Sequence, residues 1–149
     1  MLDFEQLAFI ERWRQKASRG VVVALDGTRG DIVVTLRVGE GPGRLDLRGQ
    51  DATGAVRKQR LAIGDRITMA IEYAAKDVKR GGAVPPSGVI APGATVGGSV
   101  RETGEIAVID HAGTSILVRG ETLPGVSEGD VVSFAIASEG KAYLIPSRG

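Results

Sequence analysis

Two basic clusters are the densest groups of charge-bearing residues in the chain. They are Arg57-Lys58-Gln59-Arg60 and Lys76-Asp77-Val78-Lys79-Arg80. Guanidinium and ammonium groups at this density neutralise phosphates, so the clusters predict a surface that follows a nucleic-acid backbone. With two upstream arginines, the predicted nucleic-acid-binding residues are Arg44, Arg48, Arg57, Lys58, Arg60, Lys76, Lys79 and Arg80.

Charge is unevenly divided along the 149 residues. Residues 1–80 contain 15 Lys and Arg against 11 Asp and Glu, whereas residues 81–149 contain 4 against 7. The positive first half favours a phosphate-binding surface there. The same asymmetry also allows self-association, in which the positive half of one copy meets the negative half of another.

Residue types that catalyse reactions or bind metals are scarce. The chain has no Cys and one His, which excludes thiol catalysis, Cys-ligated zinc and multi-His metal sites. His111 stands between Asp110 and Ala112-Gly113, a sequence typical of a hairpin turn whose own backbone Asp110 caps. Ser115 is nearby but lacks the flanking glycines of a nucleophile elbow. We therefore expect no enzymatic activity, no catalytic residue, no metal and no cofactor.

Acidic residues interrupt the apolar N-terminus. Asp3, Glu5 and Glu11 leave neither the basic leader nor the continuous apolar run of a signal peptide. No segment approaches the roughly 18 apolar residues that a membrane span requires. Together with the absence of Cys, these features predict a cytoplasmic protein with no membrane partner.

One amphipathic helix is predicted at the N-terminus, with a capping box at Asp3 and Gln6 and an end at Gly20. Its apolar residues recur at spacings of three and four: Phe4, Leu7, Ala8, Ile10, Trp13 and Ala17. Phe9 and Trp13 widen the apolar face, which makes them the predicted residues for binding a partner or a second copy. Packing of the helix on its own domain is the interpretation that an amphipathic helix favours first, and docking of a partner or a second copy is the other.

After Gly20 the hydrophobic period changes to two, which predicts antiparallel strands. Residues 21–25 and 31–36 form a predicted hairpin through the turn dipeptide Asp26-Gly27. Further alternating strands are predicted at residues 45–48 and 67–73, and four or five more follow Ser99. The chain is therefore expected to be mainly β.

The segment between Arg80 and Arg101 contains no charged residue and is rich in Gly and Pro. Such a composition disfavours helices and central strands, so it predicts an interdomain linker or long loop. The expected domains are residues 1–80, with the helix and a first small β-barrel, a linker at 81–98, and a second small β-barrel at 99–149.

An internal repeat connects the two halves. Residues 64–71 align without gaps to residues 129–136, at an offset of 65, and their inward and outward positions agree in character. Each copy, with a Gly-x-Val strand, a Gly-Asp turn and an alternating strand, resembles oligonucleotide-binding (OB) and cold-shock barrels. That resemblance implies two small antiparallel barrels in tandem, although the stacking aromatics of cold-shock domains are missing.

The leading functional hypothesis is a non-enzymatic module that binds single-stranded nucleic acid, DNA or RNA, through the basic face of the first barrel. The alternative is a protein-protein interaction or homo-oligomeric assembly protein that uses the N-terminal helix. Whether the halves form separate barrels or one fold with exchanged strands is left open by the sequence.

Overall fold

The computed structural model describes residues 4, 8, 11, 17–27, 32–39, 44–81, 88–111 and 113–145. Most of this part of the chain is strand, which confirms the mainly β class. The strands are β1 (Ser18–Asp26), β2 (Val33–Val38), β3 (Leu45–Asp51), β4 (Arg66–Tyr73), β5 (Ala75–Arg80), β6 (Val89–Ile90), β7 (Thr95–Glu102), β8 (Ile106–His111), β9 (Thr114–Arg119), β10 (Val131–Ile136) and β11 (Gly140–Ile145). A short helix, α1, spans Ala55–Lys58, and a 3-10 turn spans Gly120–Thr122.

Five strands close into a small barrel. β1 pairs with β2, β2 with β3, β3 with β11, β11 with β4, and β4 again with β1. All of these pairings are antiparallel except that of β3 with β11, which is parallel. A closed ring leaves no free edge strand to pair with another chain. The predicted OB-type resemblance is thus confirmed at the level of a small closed β-barrel.

Alternate residues of these strands fill the barrel, because consecutive side chains of a strand face opposite sides. Val34 and Leu36 of β2, Leu45 and Leu47 of β3, and Met69 of β4 are each no more than 2% exposed. Their burial follows the period of two seen in the sequence. The apolar alternation therefore determines which face of each strand forms the core.

Tyr73 lies where the barrel meets the remaining strands. Its side chain is buried, and its hydroxyl donates a hydrogen bond to the carbonyl oxygen of Arg48 at 2.8 Å. Burial raises the pKa of Tyr73, so the hydroxyl keeps its proton and remains a donor. This bond fixes the end of β4 against β3.

The other strands continue the same sheet in the order β4-β9-β8-β7-β10-β5. β5 follows β4 along the chain but pairs with β10, from the second half. β11 follows β10 but pairs with β3 and β4, from the first half. The terminal strand of each half therefore lies among strands of the other half.

The two-barrel arrangement is not confirmed, because the halves share one continuous sheet. The domain boundaries at residues 80 and 98 stay a prediction. Residue 98 lies within β7, which pairs with β8 and β10. Of the two topologies left open above, these pairings are those of exchanged strands. The composition of the segment between the halves could not reveal this exchange, because it does not indicate which strands pair with each other.

The Gly- and Pro-rich segment contributes strands to the core. It contains β6, which pairs in parallel with β3, and the first half of β7, which pairs with β10. Ile90 and Val96 are fully buried. The segment was predicted as a linker because it lacks charge and helix formers, yet its few apolar residues are enough to place it in the sheet.

The predicted packing of the N-terminal helix on its own domain is not confirmed. Phe4, Ala8 and Glu11 are helical, but all three are exposed, including Phe4 and Ala8 of the predicted apolar face. Phe9 and Trp13, the predicted partner-binding residues, lie outside the described residues. Among the residues that the structure describes, no helix has the length and apolar character needed to cross a membrane.

Corresponding strands of the two halves are evenly spaced along the chain. β4 begins at residue 66 and β10 at residue 131, while β5 begins at residue 75 and β11 at residue 140, a separation of 65 residues in both cases. This spacing equals the offset of the predicted internal repeat. The repeat itself stays a prediction.

Candidate functional site

A fork in the sheet lies beside β4. β1 pairs with β4 from Arg66 to Met69, and β9 pairs with it at Glu72 and Tyr73. A strand has two edges, and β11 occupies one edge of β4 from Thr68 to Glu72. β1 and β9 must therefore share the other edge, and they diverge from each other where one pairing ends and the next begins.

An open cleft of about 530 Å³, here called the fork cleft, lies where these strands diverge. It is bordered by the start of β1, the end of β2, β7, β8 and the turn into β9. Its lining residues are Ala17, Ser18, Arg19, Val38, Arg101, Val108, Gly113, Thr114 and Ser115.

Two charged residues are found among the described residues that line the fork cleft, and both are arginines. Arg19 is exposed and makes no ion pair with any described residue. Arg101 is 60% exposed on its side chain and donates from Nη2 to Oδ2 of Asp110 at 2.6 Å. The second Asp110 oxygen accepts the backbone N–H of Gly113 at 3.0 Å, as predicted for a turn-capping carboxylate. Asp110 thus holds Arg101 in place beside the cleft.

Hydroxyl groups and apolar side chains complete the lining. Ser18, Thr114 and Ser115 each supply a hydroxyl, which can donate a hydrogen bond to an oxygen of a ligand. Val108 is only 1% exposed and forms the floor. It belongs to a small apolar cluster against which Ala17 packs. The cleft therefore combines an apolar floor with a positively charged mouth.

The sequence analysis did not select Arg19 or Arg101. Arg101 has no basic residue within three positions on either side, and Arg19 lies 82 residues before it, three positions after Lys16. They reach the same cleft only because β1 and β9 share an edge of β4 and β7 pairs with β8. A search for dense charge clusters has no means of detecting such a pair.

The predicted basic face is divided between the two parts of the sheet. Arg44, Arg48, Arg57, Lys58 and Arg60 lie on or near β3 and α1, whereas Lys76, Lys79 and Arg80 lie on β5, which pairs with β10.

Two of these cations are already engaged within the protein. Arg48 Nε donates to Glu139 Oε1 at 2.8 Å, and Arg80 donates to the carbonyl oxygen of Gly125. The prediction assumed that residues of the first half share one surface. The pairing of β5 with the second half removes that assumption.

His111 is a buried structural residue at the end of β8, next to the hairpin turn. Its side chain is 1% exposed, and its Nδ1 lies 2.8 Å from the carbonyl oxygen of Gly97. Ser115 lines the fork cleft, but His111 does not. The structure does not place the only His in the cleft as a base for this hydroxyl.

Among the described acidic residues, Glu72 is the one whose pKa the fold clearly shifts. It lies on β4 with its side chain 13% exposed, and Arg119 Nε is 3.6 Å from its Oε1. Burial raises the pKa of Glu72 above the ordinary 4.5, against the opposing effects of Lys141 and Arg119. Glu105 and Glu121 add to the increase.

We expect this group to make folding less favourable as the pH rises. A carboxyl with a raised pKa holds its proton more tightly in the folded chain than in the unfolded chain. Its contribution to the free energy of unfolding is therefore fully present below pH 4.5 and is lost as the pH rises through the raised pKa. In urea unfolding at several pH values, Glu72→Gln should gain stability relative to the parent over that interval. The exposed Glu128→Gln variant is the control, and a Glu72→Gln difference that is independent of pH would contradict the assignment.

No family model matches the chain, and no curated protein matches it either. A solved structure of the cytoplasmic molybdate-binding protein ModG, with molybdate bound, is similar to it with a TM-score of 0.46 and 19% sequence identity. The match covers 87% of this chain and 95% of that chain.

The predicted nucleic-acid function is therefore corrected. The basic residues selected for it do not share one face, because Lys76, Lys79 and Arg80 lie on β5, which pairs with β10 of the second half. The prediction of a homo-oligomer or protein partner is withdrawn with it. Phe9 and Trp13, on which that prediction depended, lie outside the described residues.

Proposed function

We propose that this protein is a non-enzymatic binding protein for a small anionic ligand, which it holds in the fork cleft. The observation that carries the proposal is the lining of that cleft, in which both charged residues, Arg19 and Arg101, are positive. Guanidinium groups present several N–H donors in a fixed plane and suit carboxylate, phosphate and other oxyanions.

The electrostatics of the cleft favour an anion in spite of Asp110. Asp110 and Arg101 form an ion pair in which the two charges balance each other, and Asp110 also accepts the N–H of Gly113, so the positive charge left uncompensated among these groups is that of Arg19. Arg19 makes no ion pair with a described residue and remains able to attract a negative ligand. The hydroxyls of Ser18, Thr114 and Ser115 add neutral donors around the same space.

Binding fits the lining better than catalysis does. A hydroxyl nucleophile needs a neighbouring base, and general acid-base chemistry needs a group that titrates near neutral pH. Among the residues that the structure describes, the nine that line the cleft include no His, Cys, Asp or Glu. The non-enzymatic character and the cytoplasmic location expected from the sequence are parts of this proposal.

Titration calorimetry with inorganic anions tests the proposal on the full chain. Phosphate, sulfate and molybdate should each release or absorb heat on binding at about 10 mM ionic strength, and more weakly at about 150 mM, because exposed charges are screened by salt. Arg19→Gln and Arg101→Gln should each weaken binding by about tenfold, since a charge-assisted hydrogen bond is lost.

Arg57→Gln is the matched control. It also removes one exposed guanidinium, on α1, but Arg57 does not line the cleft. Its affinity for each anion should equal that of the parent. Equal losses in all three variants would mean that net charge attracts the anion without a site, and the absence of binding by any anion, organic ones included, would refute the function.

A further inference from the structure

We propose that the ligand of the fork cleft is an organic anion with an apolar body, such as a phosphomonoester, rather than a bare inorganic oxyanion. This inference rests on the proposed function and narrows it to a class of ligand. It depends on three properties of the cleft: its volume, its floor and the position of its charges.

The volume is too large for an inorganic ion. A water molecule occupies about 30 Å³ in the liquid, so an oxyanion of five heavy atoms displaces on the order of 100 Å³. The fork cleft holds about 530 Å³, which falls within the range of about 300 to 1,000 Å³ typical of sites for organic ligands. A bare oxyanion would leave most of this space to water.

The apolar part of the lining cannot form hydrogen bonds, and Ala17 and Val38 are its partly exposed residues. Val108 continues into an apolar cluster with Ala70, Ile106, Leu117 and Ile145. An ion placed against it would lose water without gaining a partner, which costs free energy. An apolar group placed there would instead be removed from water, which is favourable.

The charges lie at the mouth of the cleft, away from its floor. Arg19 is exposed and the Arg101 side chain is 60% exposed, whereas Val108 is 1% exposed. A ligand that satisfies all of these surfaces has its anionic group at the arginines and its apolar body inside.

Calorimetry with inorganic phosphate and phenyl phosphate tests the inference on the full chain. Both probes carry a phosphoryl group, but only phenyl phosphate has an apolar body. We expect phenyl phosphate to bind at least about tenfold more tightly, because its ring buries apolar area against the floor. Equal affinities would overturn the inference while leaving the proposed function in place. Binding by neither probe would also overturn the inference, and it would refute the proposed function as well if sulfate and molybdate fail to bind.

A substitution in the apolar lining distinguishes binding of the phenyl ring in the cleft from nonspecific hydrophobic binding elsewhere on the protein. Val38 is a partly exposed lining residue at the end of β2, so Val38→Thr changes its polarity at nearly constant shape. It should reduce the ratio of the phenyl phosphate affinity to the inorganic phosphate affinity by about threefold. Val89→Thr, at a 49% exposed valine outside the cleft, should leave the ratio as it is. A Val38→Thr ratio equal to that of the parent would also overturn the inference.

Discussion

Residues 1–80, produced without the rest of the chain, are expected not to fold. In the full chain β11 lies between β3 and β4 and closes the barrel, and it comes from residues 140–145. Without it, β3 and β4 have unpaired edges and the buried faces of Leu47 and Ile71 are exposed to water. β5 would also lose β10, the strand with which it pairs.

Circular dichroism and thermal unfolding measure this outcome directly. The fragment should show no cooperative transition, because loss of these pairings exceeds the roughly 5 to 15 kcal/mol by which a domain of this size is stable. Mixing it with residues 81–149 should restore the β signal, since the missing strands are supplied by the second fragment. A cooperative transition in residues 1–80 alone would show that the first half is an independent domain and that the observed exchange of strands is dispensable.

Gly98→Ala is expected to destabilise the full chain by about 3 to 5 kcal/mol, which is at the upper end of single substitutions. Gly98 lies on β7, where a Cβ atom would overlap the carbonyl oxygen of Asp110 on β8. The obstacle is a backbone atom of a paired strand, so no side-chain rotation can relieve it. β7 and β8 would have to separate, with loss of their hydrogen bonds.

Urea unfolding of the parent and variant gives the difference in free energy. Gly88→Ala is the matched control, because Gly88 is exposed and a Cβ there meets nothing within 4 Å. Gly20→Ala, where the overlap is with the carbonyl oxygen of Arg37 on β2, should resemble Gly98→Ala. A Gly98→Ala midpoint equal to that of the parent would mean that the approach of β7 to β8 is not as close as described.

The sequence predicted strands well where burial imposes a period of two. Met69 and Ile71 in β4, and Phe134 and Ile136 in β10, are buried at alternate positions as their pattern indicates. It did not predict β6 or the start of β7, because Gly and Pro interrupt regular structure in most chains. Nothing in the sequence indicated the fork cleft, whose two arginines are 82 residues apart.

The glycines also show what could be predicted from the sequence and what could not. The 22 glycines predicted many tight turns, yet several of them serve close packing. A Cβ at Gly140 would meet the Tyr73 ring at 2.7 Å, and one at Gly49 would meet Ile71 at the same distance. A glycine in the sequence indicates that another part of the chain can approach its backbone closely. It does not indicate which part of the chain does so.

By itself the sequence determined the β class of this protein, the faces of its principal strands and the lack of an obvious catalytic constellation, because these follow from residue types and from patterns within a few positions. Only the tertiary structure decided which strands pair, since long-range pairing depends on the sum of many weak contacts across the whole core. The exchange of β5 and β11 divided the predicted basic face. The divergence of β1 and β9 along β4 brought two arginines that are far apart in the sequence to one cleft.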